Sequence, residues 1–380
     1  MKPLVSILIP AYNAERFLAD AIRSALCQTW QRREVIVVDD GSTDRTLSIA
    51  EQFVREGVQV VSQPHQGASA ARNTALGLSR GDYLQWLDAD DLLSPDKLST
   101  QVNVLSEPGI TRRSLISGAW GTFFYRTDKT RFLPTPLWRD QAPVEWLLTK
   151  IGQNYHMQPG TWLVSRELTD CAGPWDTRLW KDNDGEYFCR VIRSSDRIRF
   201  VPNAKVFYRS SGVNCVSYVG RSNIKLESML LSIKLHLGYL RELENSERVR
   251  AACLNYLQNR LVYFYVARPD LAAELQLLAA SLGGQLEPPR LPLKYEAVNK
   301  ALGREAAYRV WSSAPIVKQS LIRSWDQALH RLESWERNRP TDREETSRNS
   351  DTSLKQLSLH SLKLSSLMGA ILDAAYNFWV

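Results

Sequence analysis

Three short acidic clusters hold the side chains best suited to chemistry. The first is Asp88-Ala89-Asp90-Asp91, which directly follows the apolar Leu87. Carboxylates two residues apart at the end of a strand can share a Mg²⁺ or Mn²⁺ ion that also binds the phosphate oxygens of a substrate. The alternative is a turn in which Asp91 or Ser94 caps the next helix. The abrupt change from apolar to acidic residues favours a metal site at Asp88 and Asp90.

The second cluster, Asp39-Asp40-Gly41-Ser42-Thr43-Asp44, also follows an apolar stretch. Its carboxylates can accept hydrogen bonds from a base or a ribose, whereas Ser42 or Thr43 can equally cap a helix. Arg72 lies within Gly67–Asn73, a segment of mostly small residues that allows close packing. Its guanidinium can bind a phosphate, and an ordinary surface arginine is the alternative.

The third cluster, Lys181-Asp182-Asn183-Asp184-Gly185-Glu186, comes much later in the chain. It can supply a general base, which takes the proton from an attacking hydroxyl group. It can also be an acidic loop in which Asp184 caps an amphipathic segment over Tyr187–Ile192. Asp184 is the predicted base, and Asp182 and Glu186 are the alternatives to it.

The segments between the clusters predict an α/β fold. Short apolar runs alternate with segments of helical periodicity, the pattern of a parallel sheet. Ligands bind at the carboxyl ends of such strands, so Tyr12, Asn13 and the first two acidic clusters should meet at one edge. Asn13 is also expected to cap the first helix. The predicted strands are Val5–Ile9, Val35–Val38, Val58–Val61 and Tyr83–Leu87.

The rest of the chain is predicted to be mixed and then helical, with strands at Ile116–Phe124, Thr161–Ser165 and Ile198–Tyr208. Helices are expected from Asn223 to about Arg337, with a break near Pro288–Pro292. These patterns indicate a first domain over residues 1–215, a helical region over 216–338, a polar linker over 339–353 and an amphipathic tail over 354–380.

The composition limits the class of protein. The sequence is 44% hydrophobic and 23% charged, which is typical of a globular chain. Its five cysteines are widely spaced without a CxxC pair, so neither a zinc site nor a disulfide framework is expected, as in a reducing compartment. The net charge of +7 suits anionic partners such as phosphates or an acidic membrane surface. No apolar run is long enough to predict a spanning helix.

The chain resembles the family 2 inverting glycosyltransferases, which have the glycosyltransferase A-type fold. The resemblance depends on the order and spacing of six segments, and it continues more weakly through Trp175–Arg193 and Phe200–Tyr208. It implies a Rossmann-like, mostly parallel sheet with helices on both faces and a helical C-terminal extension. Residues 1–215 would then be the nucleotide-sugar-binding catalytic domain. The six segments are Val5–Asn13, Gln28–Trp30, Glu34–Asp44, Gly67–Asn73, Gly81–Tyr83 and Leu87–Asp91.

The resemblance also implies a role for each matching residue. Asp90 would ligate Mn²⁺ or Mg²⁺, with Asp88 near the ribose and the metal. Asp184 would be the catalytic base, although this chain has Asn183-Asp184 where the family usually has Glu-Asp. The donor nucleotide and sugar would be held by Pro10, Ala11, Tyr12, Asn13, Asp39, Asp40, Arg72, Asp88 and Ala89.

The implied reaction is a single displacement with inversion. A sugar would move from a nucleoside-diphosphate sugar, with a UDP-sugar expected, to a hydroxyl of a carbohydrate or lipid-linked acceptor. Cell-envelope polysaccharide, lipopolysaccharide or glycolipid synthesis is the expected setting, and the expected location is cytoplasmic. Peripheral contact of the tail with the inner face of the plasma membrane is a further hypothesis, and packing of the tail on the protein's own helices is its alternative. No nucleic-acid partner is expected.

Other functional classes fit the sequence less well. A non-catalytic nucleotide-sugar-binding protein would keep the fold, but it would be expected to lack one of the acids at Asp90 and Asp184. A dinucleotide-binding oxidoreductase is disfavoured because Ala11-Tyr12-Asn13, rather than a GxGxxG loop, follows the first strand. A processive polysaccharide synthase would need spanning helices, which the sequence does not predict.

Overall fold

The computed structural model describes residues 2–211 and 222–337. The predicted linker over 339–353 and the predicted tail over 354–380 lie outside these residues. The chain divides into two compact units, one ending at His330 and the other beginning at Arg331. The site and the contacts below belong to the first unit.

The strands of the described residues form two sheets. They are β1 (Val5–Ala11), β2 (Arg33–Asp39), β3 (Val58–Ser62), β4 (Tyr83–Trp86), β5 (Leu92–Leu93), β6 (Ser114–Phe123), β7 (Arg131–Phe132), β8 (Val164–Ser165) and β9 (Arg197–Arg209). The helices are α1 (Leu18–Leu26), α2 (Thr46–Glu51), α3 (Ala68–Leu78), α4 (Lys97–Asn103), α5 (Pro143–Gln153), α6 (Arg166–Ala172), α7 (Asn183–Ser194), α8 (Asn223–Leu243), α9 (Glu247–Phe264), α10 (Pro269–Ser281) and α11 (Glu296–Arg337).

The first sheet has the order β3-β2-β1-β4-β8. β1 to β4 are parallel, and β8 pairs antiparallel with β4. All four strands predicted for this half are present. The sheet is therefore mostly parallel, as predicted from the alternation of strands and helices.

Both faces of this sheet are covered because its strands are apolar on both sides. Ile7 and Val37 pack in one hydrophobic cluster with Ala21 of α1. Leu8 and Ile36 pack in another cluster on the opposite face, which includes Ala71 and Ala75 of α3. Successive residues of a strand point to opposite faces, which explains why unbroken apolar runs marked these strands.

The second sheet, β5-β9-β6-β7, was not predicted as a sheet. Its centre is a long parallel pairing of β6 and β9, with an irregularity between Gly118 and Ala119. β5 follows the Asp88 cluster directly and pairs antiparallel with β9. This pairing brings the end of β9, at Tyr208 and Arg209, beside the carboxyl end of β4.

The helical region packs on the first domain through a shared core. Residues of α8 and α9 belong to the same hydrophobic cluster as Trp146 of α5 and Tyr187 of α7. The predicted break near Pro288–Pro292 falls between α10 and α11. α11 is itself interrupted at Gly303, whose φ of 82° is not helical.

No helix among the described residues has both the length and the apolar character required to cross a lipid bilayer.

Candidate functional site

A cavity of about 620 Å³ lies at the carboxyl ends of β1 and β4. Four parts of the first domain form its walls: the segment from Pro10 to Phe17, the start of α3, the Asp88 cluster, and the segment from Thr177 to Asp184. It brings together all but one of the site residues predicted from the sequence. Those that line it are Pro10, Ala11, Tyr12, Asn13, Asp40, Arg72, Asp88, Ala89, Asp90 and Asp184.

Asp39 is the exception, since it is buried and does not line the cavity. Its Oδ2 accepts a hydrogen bond of 3.0 Å from Ser62 Oγ, while its Oδ1 is buried without a partner among the described residues. Asp39 is the last residue of β2, and alternation along the strand separates its direction from that of Asp40. A role for Asp39 in binding the nucleotide remains a prediction.

Asp40 shapes the turn that leads into α3. Its Oδ1 accepts from Gln66 N at 3.0 Å and its Oδ2 accepts from Gly67 N at 2.8 Å. The Nδ1 atom of His65 lies 2.9 Å from the same Oδ2. Gly67 has a φ of 90°, a conformation that glycine adopts without strain. Asp40 therefore fixes the position of His65 and of the first residues of α3 at the cavity.

The prediction that Asn13 caps the first helix is wrong. α1 begins later, at Leu18, and Phe17 precedes it without a side-chain cap. Asn13 has a left-handed φ of 48°, and its Oδ1 accepts from Thr43 N at 2.9 Å. This bond joins residues that are 30 positions apart in the chain. Asn13 thus joins the loop after β1 to the loop after β2.

Arg72 is held between a carboxylate and an aromatic ring. Its Nη2 donates to Asp88 Oδ1 at 2.8 Å, and its guanidinium lies 4.4 Å from the centre of the Trp175 ring. Only 6% of Arg72 is exposed, and its Nε and Nη1 atoms are buried without partners among the described residues. A buried guanidinium with unused donors beside a cavity is suited to bind an anionic group.

The acidic cluster after β4 divides into two parts. Asp91 is buried and accepts from Arg209 N at 2.8 Å, which joins the acidic cluster to the end of β9. Asp88 and Asp90 face the cavity. Burial and the charge of Asp88 raise the pKa of Asp90 to about 6, against the effects of Ser211 and Arg209. A cation bound beside Asp90 would oppose both effects and favour the charged carboxylate.

These two carboxylates fit a divalent ion that is completed by a substrate. No group of three or more potential His, Cys, Asp or Glu ligands occurs within residues 2–211 and 222–337. Mg²⁺ commonly binds through one or two carboxylates together with substrate phosphates, so two are sufficient. Asp88 and Asp90 are thus an appropriate donor set for a metal that arrives with a phosphorylated ligand.

The three candidate bases in the acidic segment at the start of α7 differ in their burial and in their hydrogen-bond partners. Glu186 is 1% exposed and does not line the cavity. Its carboxylate pairs with Arg190 Nε at 2.7 Å. Asp182 reaches the cavity, but its Oδ2 accepts from Ser232 Oγ at 2.9 Å. Asp184 lies in the first turn of α7, partly exposed to the cavity. Of the three, Asp184 has the placement that a base acting on a bound substrate needs.

Comparison with known proteins agrees with this geometry. The family model for glycosyl transferase family 2 matches residues 6–171, which contain both the Asp40 and the Asp88 clusters. Residues 6–171 belong to glycosyltransferase family 2.

Curated relatives of this family 2 domain share only part of their length with the chain. The glycosyltransferase EpsJ of Bacillus subtilis is 29% identical over 56% of this chain and 62% of its own length. The putative teichuronic acid biosynthesis glycosyltransferase TuaG of Bacillus subtilis is 41% identical over 28% of this chain and 43% of its own length. The chain therefore spans less than two thirds of these relatives.

The solved structures show the fold. TarS residues 1–349 of Staphylococcus aureus, in complex with UDP-GlcNAc, has a TM-score of 0.58 at 17% identity. The match covers 74% of this chain and 81% of that one. The predicted glycosyltransferase A-type fold with a C-terminal helical region is confirmed.

Tyr12 was predicted from the sequence as a donor-binding residue, but the aromatic group that it forms with His65 and Trp180 at the cavity was not. The rings of Tyr12 and His65 stack with centroids 4.1 Å apart, and Trp180 meets His65 edge-on at 6.1 Å. A Cβ on Gly67 would lie 3.3 Å from Trp180, so glycine permits this close approach. The three rings lie far apart in sequence, and only the fold joins them.

The helical region also contributes to the cavity of the family 2 domain. Lys225 of α8 and Arg323 of α11 line it together with Tyr208 and Ser211. Arg323 Nη1 donates to the carbonyl oxygen of Ser211. Both cations lie beyond the matched residues 6–171, so no motif in the sequence indicated them.

Proposed function

We propose that the protein is an inverting glycosyltransferase that moves a sugar from a nucleoside-diphosphate sugar to an acceptor hydroxyl. The observation that carries the proposal is the division of one cavity between two acidic groups. Asp88 and Asp90 lie at the end of β4, and Asp184 lies at the start of α7. Asp88 and Asp90 can bind a cation that contacts the donor's phosphates, and Asp184 can accept the proton of the acceptor hydroxyl.

The proposed donor side is the wall formed by β1, α3 and the Asp88 cluster. The stacked rings of Tyr12 and His65 offer a flat surface for a nucleobase. Gly67, Ala68 and Ser69 place the positive end of the α3 dipole at the cavity, where it favours a phosphate group. Arg72 adds a buried positive charge. A UDP-sugar is the donor we propose, because TarS, which shares the fold, binds UDP-GlcNAc.

Asp88 and Asp90 would hold Mn²⁺ or Mg²⁺. When bound, such an ion would supply positive charge to the diphosphate oxygens.

Asp184 is the proposed base of the displacement. Its carboxylate would take the proton of the acceptor hydroxyl as that oxygen forms a bond to the anomeric carbon. The bond from the anomeric carbon to the phosphate oxygen breaks in the same step, and the nucleoside diphosphate leaves. Attack opposite the leaving group inverts the anomeric configuration. Asp182, two residues earlier, already accepts a hydrogen bond from Ser232 and is the weaker candidate for the base.

Synthesis of a cell-envelope polysaccharide, lipopolysaccharide or glycolipid is the proposed setting. TuaG is named for teichuronic acid biosynthesis, and a chondroitin synthase of Escherichia coli is 47% identical over 25% of this chain and 14% of its own length. The acceptor would be a carbohydrate or a lipid-linked saccharide on the cytoplasmic side of the membrane.

Donor choice and reaction class can be tested together on the full chain. UDP-, GDP- and dTDP-sugars are first compared by thermal shift with Mn²⁺ present. The donor that stabilises the protein is then incubated with a panel of saccharide acceptors, and the linkage of the product is determined by NMR. We expect stabilisation by a UDP-sugar and an anomeric configuration opposite to that of the donor.

Two results would contradict the proposal in different ways. Retention of configuration would exclude the single displacement. Tight donor binding without transfer or donor hydrolysis, at every acceptor and with either metal, would favour the alternative of a non-catalytic nucleotide-sugar-binding protein.

A further inference from the structure

We propose that one face of α8 positions the catalytic base, with Ser228, Ser232 and Tyr239 as its positioning residues. The inference rests on the proposed function, since it concerns the same Asp184. It extends the catalytic unit beyond residues 6–171 into the helical region.

Ser228 fixes the backbone just before α7. Its Oγ accepts from Lys181 N at 2.9 Å and donates to Lys181 O at 3.0 Å. Both backbone groups of one residue are therefore satisfied by a single side chain on α8. Lys181 lines the cavity three residues before Asp184, so this pair of hydrogen bonds sets where the acidic segment begins.

Ser232, one turn further along α8, holds the next residue. Its hydroxyl lies 2.9 Å from Asp182 Oδ2 and 3.0 Å from Met229 O, and the charged acceptor makes the stronger bond. Asp182 has a left-handed φ of 60°. Its side chain folds over the first turn of α7, where a Cβ on Gly185 would lie 2.2 Å from Asp182 Oδ1. Glycine is therefore required at position 185 for this arrangement.

Buried charges keep Asp182 ionised as the acceptor for Ser232. Burial alone would raise the pKa of Asp182, but the neighbouring His236, Lys150 and Arg260 lower it to about 2. Burial lowers the pKa of His236 to about 3, so His236 is neutral at pH 7 and Lys150 and Arg260 supply the positive charge there. The carboxylate stays charged over the whole physiological range.

Tyr239 binds Glu186, which follows the base by two residues. Its hydroxyl donates to Glu186 Oε1 at 2.7 Å, and Glu186 also pairs with Arg190. Residues 228, 232 and 239 are separated by four and seven positions, which places them on one face of a helix. Asp184 therefore lies between two anchored neighbours, and its carboxylate is left to face the cavity.

The test uses Ser232→Ala, Tyr239→Phe and the double variant of the full chain. Each substitution removes a hydroxyl and leaves the apolar part of the side chain. A misplacement of about 1 Å in an active site can cost about 10²-fold in rate. We expect the double variant to lower kcat about tenfold or more, with the donor Kd from calorimetry within about twofold of wild type. Ser232→Thr keeps the hydroxyl, so its kcat should be closer to that of the wild type than the kcat of Ser232→Ala.

Hydrogen–deuterium exchange supplies a readout that does not depend on turnover. Peptides covering residues 181–187 should exchange faster in the double variant, while peptides from β1 should be unchanged. Matched controls are Tyr263→Phe and Ser281→Ala, which remove hydroxyls from exposed positions of α9 and α10. They should change neither kcat nor the exchange of 181–187.

Unchanged exchange of 181–187 in the double variant would overturn the proposed anchoring. Faster exchange with an unaltered kcat would overturn its role in positioning the base. If the wild-type chain transfers no sugar, the proposed function fails, and the exchange experiment alone decides whether α8 anchors this segment.

Discussion

At the scale of single residues, the acidic side chains near the cavity fall into two kinds. Some face the cavity, and others are buried and bonded to neighbouring elements. Asp91 and Glu186 carry carboxyl groups like their neighbours, but both are buried: Asp91 accepts from the backbone N–H of Arg209, and Glu186 pairs with the guanidinium of Arg190. Asp88, Asp90 and Asp184 face the cavity instead. Acidic residues that are adjacent, such as Asp90 and Asp91, or two positions apart, such as Asp184 and Glu186, therefore have different roles.

Asp184→Asn should separate binding from turnover. The amide keeps the shape of the side chain and its hydrogen-bonding capacity but loses basicity. We expect donor and metal affinity near wild type and a rate reduced about 10²–10⁴-fold, the usual contribution of a general base. The measurements are transfer rate and calorimetric donor affinity.

The two flanking acids provide the comparison. Glu186→Gln removes the charge that pairs with Arg190, so it should lower the melting temperature more than Asp184→Asn does. Asp182→Asn should reduce the rate less than Asp184→Asn. If Asp184→Asn keeps full turnover while Asp182→Asn is inactive, Asp184 is not the base.

Asp90→Asn should weaken the metal-dependent part of donor binding. Removing one of two candidate ligands leaves Asp88 alone to hold the ion with the substrate. We expect Mn²⁺ to strengthen donor binding in the wild type and to have little effect in the variant, with transfer abolished and the melting temperature retained. Asp96→Asn, at an exposed position before α4, is the matched control. Full activity of the wild type in EDTA would contradict the prediction.

The sequence predicted the donor wall better than the aromatic group beside it. Asp40, Arg72 and Asp90 stand in segments with recognisable spacing, and their strands end at a common edge. His65 and Trp180 are brought together only when the loop after α6 packs near α3, and single-sequence patterns carry no record of that contact. Asp39 shows the opposite limit, since its cluster was recognised but the direction of its side chain was not.

At the scale of elements, α11 reaches the cavity from far along the chain. Asp326 of α11 is 8% exposed, and its carboxylate accepts from Tyr125 N at 2.9 Å and from Arg126 Nε at 2.7 Å. Arg323, nearly one turn earlier, lines the cavity. A single carboxylate thus satisfies the backbone beyond the end of β6 and holds a cation of α11 at the site.

Asp326→Asn should loosen α11 without unfolding the first domain. The amide cannot satisfy both the backbone donor and the guanidinium, so one buried donor loses its partner at a cost of about 1–3 kcal/mol. Limited proteolysis should cleave within residues 296–330 faster than in the wild type. Asp128→Asn, which breaks an exposed pair with Lys129, should behave as wild type. Equal cleavage of the two variants would show that Asp326 does not hold the helix.

Strands that are marked by an apolar run could be predicted from the sequence, whereas the pairing of distant strands could not. β1 and β2 are apolar on both faces, and β3 and β4 are short, mostly apolar runs, so the signal is local in the sequence. β6 and β9 were predicted as strands, but their parallel pairing across more than seventy intervening residues was not, since no local signal specifies a partner. The sequence predicted that the region of α8 to α11 is helical. It did not predict that the polar face of α8 contacts the segment at the start of α7.

At the scale of the whole molecule, the predicted tail over 354–380 and the net charge of +7 lead to a test of membrane contact. Apolar residues at helical spacing with Lys355 and Lys363 nearby fit an interfacial helix on anionic lipid, and a helix packed on the protein's own helical region is the alternative. If the tail binds lipid, the full chain should float with vesicles containing phosphatidylserine, and less so at high salt. A chain truncated at Arg339 should float less. Equal flotation of both chains would exclude the tail as the anchor.

The aromatic group at the cavity gives the protein an optical signal of its own. Trp180 is 42% exposed and, among the described residues, it is the tryptophan that lines the cavity. A nucleobase that stacks near Tyr12 and His65 would change the polarity around the indole, so donor binding should quench or shift the intrinsic fluorescence. The change should disappear in Trp180→Phe and persist in Trp325→Phe, which removes an exposed indole of α11 outside the cavity. The same change in Trp180→Phe would mean that another indole reports the binding. With this signal, donor affinity can be followed in variants that transfer no sugar.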